Sequence, residues 1–101
     1  MASNQFPNWD EPYDGQYQLR LFVAGNSPVS VRAINNLQKI LEEHLKDRYE
    51  LEIIDIHQQP EWVVTENITA VPLLIKKAPV PKRILVGDMS DTARVLRGLN
   101  V

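Results

Sequence analysis

Residues 17–26, reading YQLRLFVAGN and followed at once by Ser27-Pro28 and a long amphipathic run, constrain this chain more than any other stretch. Tyr17, Leu19, Leu21 and Val23 share one face, with Gln18 and Arg20 opposite, while Phe22 and Ala24 turn the second face apolar towards the end. That pattern predicts a strand covered on both sides. Ser27 suits a helix N-cap, and Pro28 suits the first helical position, where its missing N–H costs nothing. From there Val31, Ile34, Leu37, Leu41 and Leu45 recur at helical spacing, with Ile40 widening the stripe. The helix is expected to end near residues 46–48, where basic side chains suit the dipole. Residues 50–56, ELEIIDI, predict a second strand. Two strands joined by a long helix pair in parallel through a right-handed crossover.

Beyond Pro60 the signals shorten. Residues 61–67 read as one short helix begun by Pro60. Ala70-Val71-Pro72 leads into a strand at 73–75. Residues 76–82, KKAPVPK, read as a proline-bearing loop and 83–86 as a further strand. Gly87-Asp88 makes a turn, and Ser90 is the expected cap of a last helix over 91–99, with Ala93, Val95, Leu96 and Leu99 apolar. The order β-α-β-α-β-β-α is the thioredoxin arrangement, an α/β fold in one domain. The turn after the first strand is where a thioredoxin keeps its two reactive cysteines, yet this chain has none. Without cysteine there is no disulfide, thiolate nucleophile or zinc-thiolate site. A redox scaffold without its chemistry points to a binding module and not to an enzyme.

A length of 101 residues allows a single domain with a real core. A net charge of -2 argues against nucleic acid, which demands a basic face. No apolar run approaches the roughly 18 residues of a membrane span. The polar N-terminus lacks a secretory apolar region, which makes the cytoplasm the default location. Residues 1–16, MASNQFPNWDEPYDGQ, carry two prolines, a glycine and three acidic residues with no apolar period. They are expected to form a disordered tail ahead of the domain at 17–101. Phe6, Trp9 and Tyr13 are unusual in a tail of that kind, and suit folding back on the domain or serving a partner.

YQLRLFVAGNSPVSVRAINNL, YELEIIDI and TAVPLLIKKAPVPKRILVGDMSDTARVLRGL together resemble the KaiB family, small partners of the KaiC ATPase in bacterial clock-type systems. The resemblance covers residues 17–99. Its most specific pieces are Val23-Ala24-Gly25-Asn26, Ala70-Val71-Pro72 and Val86-Gly87-Asp88. The sensor domain of the clock-output histidine kinase is a close relative. The resemblance implies a metamorphic protein with two folds. One is a resting form, a dimer or tetramer, whose C-terminal half is arranged differently. The other is a thioredoxin-like monomer bound to a KaiC ring. It further implies a regulatory function exerted on the KaiC-like ATPase through a slow fold switch, with a KaiA-like protein or the histidine kinase as further partners. A KaiB-like adaptor or stress-response module with another partner is the alternative. The short, proline-broken segments 57–69 and 76–99 accept either packing, whereas 17–56 do not.

Among single residues, Ser27 has no histidine motif beside it to activate it, so it reads as a cap and not as a nucleophile. Asp55 and His57, two residues apart at a strand end, make a poor metal or acid/base site. Trp62 reads as a core aromatic and His44 as a surface histidine. No phosphate-binding glycine loop is present. No catalytic, cofactor-binding or metal-ligating residue is therefore assigned. Pro72 is the cis-proline candidate by analogy with thioredoxin. Gly87 and Asp88 are the fold-switch candidates, glycine permitting positive φ. Lys76, Lys77, Lys82 and Arg83 cluster around the prolines and are the candidates for electrostatic docking on an acidic partner.

Overall fold

The computed structural model describes residues 16–101. The elements run β1 (Tyr17–Val23), α1 (Pro28–His44), β2 (Tyr49–Asp55), α2 (Glu61–Thr65), β3 (Leu73–Ala78), β4 (Arg83–Val86) and α3 (Thr92–Leu99). They form a mixed four-stranded sheet in the order β2-β1-β3-β4. β1 and β2 are parallel, from Tyr17↔Tyr49 to Val23↔Asp55, as the long α1 crossover requires. β3 runs antiparallel to both β1 and β4.

Strand alternation divides the core in two. Leu19, Leu21 and Val23 of β1 and Leu74 of β3 face α1 and α3, where they meet Ala33, Leu37, Leu41, Val95 and Leu99. Phe22, Ile54, Leu73 and Ile75 face the other way, packed with Ile68 under Trp62 and Val63 of α2. The second face of β1 is thus apolar because α2 covers it. Each fully buried Leu or Phe contributes about 1.5–3 kcal/mol. Trp62 belongs to this second core: its ring lies 5.9 Å from that of Phe22, and the Arg20 guanidinium sits 4.4 Å from its centroid. Arg20 also reaches Glu52 at 2.8 Å, so a basic side chain within the sheet is satisfied from two sides.

The capping chemistry is local. Ser27 accepts from the Ser30 backbone N–H, and Pro28 opens α1. Fully buried Ser30 in turn accepts the backbone N–H of Ala24 at 3.1 Å, closing the turn between β1 and α1. At the far end of α1, the Tyr49 hydroxyl donates to Glu42 at 2.6 Å, and that bond pushes the phenol up to about 12.

The expected elements all form, with shifted ends. α1 stops at His44: Leu45 leaves helical backbone geometry with φ -133, and its carbonyl accepts the Arg48 N–H in a turn where Asp47 takes positive φ. α2 ends at Thr65, two residues early, and Asn67 takes positive φ just beyond it. Asp91 caps α3 in place of Ser90, accepting from Arg94 N at 3.1 Å. The largest correction concerns residues 76–82. β3 continues through Lys76 and Lys77 to Ala78, so the loop begins only at Pro79. Lys76 pairs with Leu19 on one side and Arg83 on the other, and is 1% exposed. Of the residues 1–16 expected to form a tail, 1–15, including Phe6, Trp9 and Tyr13, lie outside the described residues. No helix among the described residues is long and apolar enough to cross a membrane.

Candidate functional site

The strand directions collect every turn of interest at one end of the sheet. β1 and β2 finish there, β3 starts there and β4 finishes there, which brings residues 24–28, 55–57, 71–72 and 87–90 together. Ligands of open α/β sheets commonly bind at this end. The other end carries residues 78–83 between β3 and β4. The sequence candidates therefore separate: Pro72, Gly87 and Asp88 share the first end, while Lys77, Lys82 and Arg83 belong to the second.

At the first end the Val71–Pro72 bond is cis, and the Pro72 carbonyl accepts the Gly87 N–H at 3.0 Å. Gly87 has φ 126, outside the range of ordinary side-chain-bearing residues. Asp88 is held from several sides. Its Oδ1 accepts the Ser90 N–H at 3.0 Å, its Oδ2 accepts Arg32 Nε at 3.4 Å, and its carbonyl accepts Asn36 Nδ2 at 2.9 Å. Bonds from Ser90, through hydroxyl and backbone, together with Arg32 hold the Asp88 carboxyl below the usual carboxylate range. The turn after β4 is thus tied to α1 by Arg32 and Asn36. Sequence reading missed these two, although their four-residue spacing places them on one flank of the apolar stripe.

Asp55 has a similar architectural use. Its Oδ1 accepts the Gly25 N–H at 3.0 Å and the His57 N–H at 2.9 Å. The His57 amide foremost, then that of Gly25, holds its carboxyl below the ordinary range. Gly25 has φ 58, and a Cβ there would lie 3.2 Å from His57 Nδ1. The glycine therefore answers both the turn and the close approach of the imidazole. At the position of the thioredoxin cysteines, the Ser27 hydroxyl donates to Ser30 at 2.9 Å while capping α1. A hydroxyl held in that way is poorly placed for attack on a carbonyl. Among the described residues no group of three or more His, Asp or Glu is arranged to hold a metal ion. A cleft of 220 Å³ between α1 and the start of α3, lined by Asn36, Lys39, Glu43, Met89 and Ser90, is below the usual 300–1,000 Å³ range of small-molecule sites.

At the second end Lys82 and Arg83 are exposed and Lys77 is half-buried. Lys76 does not join them. Its Nζ is enclosed without a hydrogen-bond partner, and burial lowers its pKa from the ordinary lysine value.

A four-stranded mixed sheet with two helices on one face and one on the other, and a turn without cysteine after β1, defines a thioredoxin-like protein without thiol chemistry. Known structures agree on the fold. The solution structure of the N-terminal domain of Synechococcus elongatus SasA matches with a TM-score of 0.70 at 22% identity, over 98% of this chain and 93% of that one. Chloroplastic thioredoxin z matches with a TM-score of 0.68 at 16% identity, over 86% and 80%. The family is settled by sequence. The KaiB domain model matches residues 20–101, and the circadian clock oscillator protein KaiB of Prochlorococcus marinus strain MIT 9312 is 46% identical over 85 residues, covering 84% of this chain and 81% of that protein. This chain belongs to the KaiB family.

Proposed function

We propose that this chain is a cytoplasmic regulatory protein of a clock-type system, binding a KaiC-like ATPase ring without catalysing a reaction itself. The observation that carries the reading is a thioredoxin-like turn with no thiol in a member of the KaiB family. Relatives of similar length bear the name circadian clock oscillator protein. The form that binds is the thioredoxin-like fold described above, as a monomer. At rest the chain is a dimer or tetramer with residues 57–69 and 76–99 packed differently, and the slow exchange between the two forms delays binding. Gly87 and Asp88 form the hinge. Lys77, Lys82 and Arg83 supply a basic contact for an acidic ring surface, while Lys76 is withdrawn from that contact by burial. A KaiA-like protein or the clock-output histidine kinase is the further partner.

The test is native mass spectrometry of the chain with each KaiC-type ATPase of its own genome, in ATP, followed over a day. A complex that grows in slowly on a hexameric ring supports the reading. If no ring captures the chain in either phosphorylation state, the reading fails and an adaptor role with another partner takes its place.

A further inference from the structure

Helix α2 has five residues and roofs only part of its face of the sheet. On that face Ile84 and Val86 of β4 stand beside Ile75 and Leu73 of β3, by register, but remain 54% and 41% exposed. They form an apolar strip along the outermost strand. Exposed Lys82 borders it at one end, whereas Arg83, paired with Lys76, faces the other side of the sheet and Lys77 stands in the β-bulge opposite Leu19. Val80, in the loop between them, is 82% exposed. Single exposed apolar residues are ordinary, but a contiguous strip with a charged border marks a contact surface.

We propose that residues 1–15 of the same chain are the occupant of this strip. Three observations single them out. The segment carries Phe6, Trp9 and Tyr13 together with Asp10, Glu11 and Asp14, and no lysine or arginine. Its charge is opposite to that of the border, and its aromatics suit the strip between. It also starts from the right place. Gln18 pairs with Ala78, so the chain enters β1 at the end of the sheet where Lys82 and Arg83 lie. β4 is two strands away, roughly 10 Å, and a 15-residue segment spans up to about 50 Å. A tether of this length raises the local concentration of the segment to the millimolar range, so weak aromatic contacts are enough for docking. The docked segment covers this face of β4 and withdraws Lys82 from other partners. The inference does not depend on which ring, if any, the chain binds.

The 101-residue chain lacks cysteine, so Ser3→Cys creates a single site for a nitroxide spin label. In dilute, isotope-labelled protein, the amide signals of Lys82, Ile84 and Val86 are expected to weaken by about twofold or more relative to those of α1, given millimolar local concentration. Ile84→Ser with Lys82→Glu, both at exposed positions, is expected to restore them. Equal weakening everywhere, or weakening centred on another face, overturns the proposal. Weakening that appears only when spin-labelled chains without isotope are mixed with isotope-labelled chains without a spin label assigns the strip to a second copy, and overturns it as well.

Discussion

The ammonium group of Lys76 is a locally destabilising feature in an otherwise satisfied sheet. It lies on the α1/α3 face beside Leu19, with Arg83 as its cross-strand neighbour and no acceptor for its protons. A buried, unsatisfied polar group costs about 1–3 kcal/mol, and more when charged. Lys76→Met retains an unbranched side chain, one atom shorter, and removes the charge. It is expected to raise unfolding free energy by about 1–3 kcal/mol, read from the denaturant midpoint. The pH dependence has a definite sign. The folded lysine has a lowered pKa, so between that value and the ordinary lysine value the unfolded chain binds the extra proton. Stability therefore rises with alkaline pH through that window, and the rise disappears in the Met variant. Gly98 tests packing at a different point. A Cβ there would fall 2.7 and 2.9 Å from the terminal carbons of Leu85, which packs on the main core. Overpacking outweighs the roughly 1 kcal/mol gain in helix propensity, so Gly98→Ala is expected to lose about 1 kcal/mol net in the same measurement.

The turn from β4 to α3 holds the elements together through a few bonds that a small change can remove. Gly87→Ala meets Arg94 at an ordinary contact distance of 3.8 Å but puts a side chain at φ 126, and Asp88→Arg sets a cation against Arg32. Under the proposed exchange between two forms, both are expected to change the balance, visible as separate sets of amide NMR peaks. If both variants keep one set with the parent topology, Gly87 and Asp88 are not the hinge. Most elements on which this turn sits were legible. β1 and β4 match their expected bounds, because their apolar alternation stops at turn residues. β3 was cut short at Ile75, since two lysines followed by prolines carry no apolar signal. Its last three residues are held as strand by pairing with β1 and β4, a tertiary effect outside any local window. The tie from Arg32 and Asn36 to Asp88 was hidden for the same reason, since it joins residues 52 and 56 positions apart.

At the scale of the molecule, the sheet separates a hydrogen-bonded end with braced turns from an end with a basic residue beside an apolar strip. A protein of this fold with cysteines at the helix start would reduce disulfides. This one is expected to reduce insulin no faster than buffer in a turbidity assay, and measurable turnover would contradict a purely binding role. The turn that closes on Ser27 and Ser30 carries a further consequence. Thiols there would exchange electrons with the glutathione pool, and the shape offered to a partner would vary with the compartment's potential. Hydroxyls do not. A protein built on this turn is blind there to the thiol–disulfide poise around it, and the turn keeps the same chemistry under oxidative load as in a reducing cell.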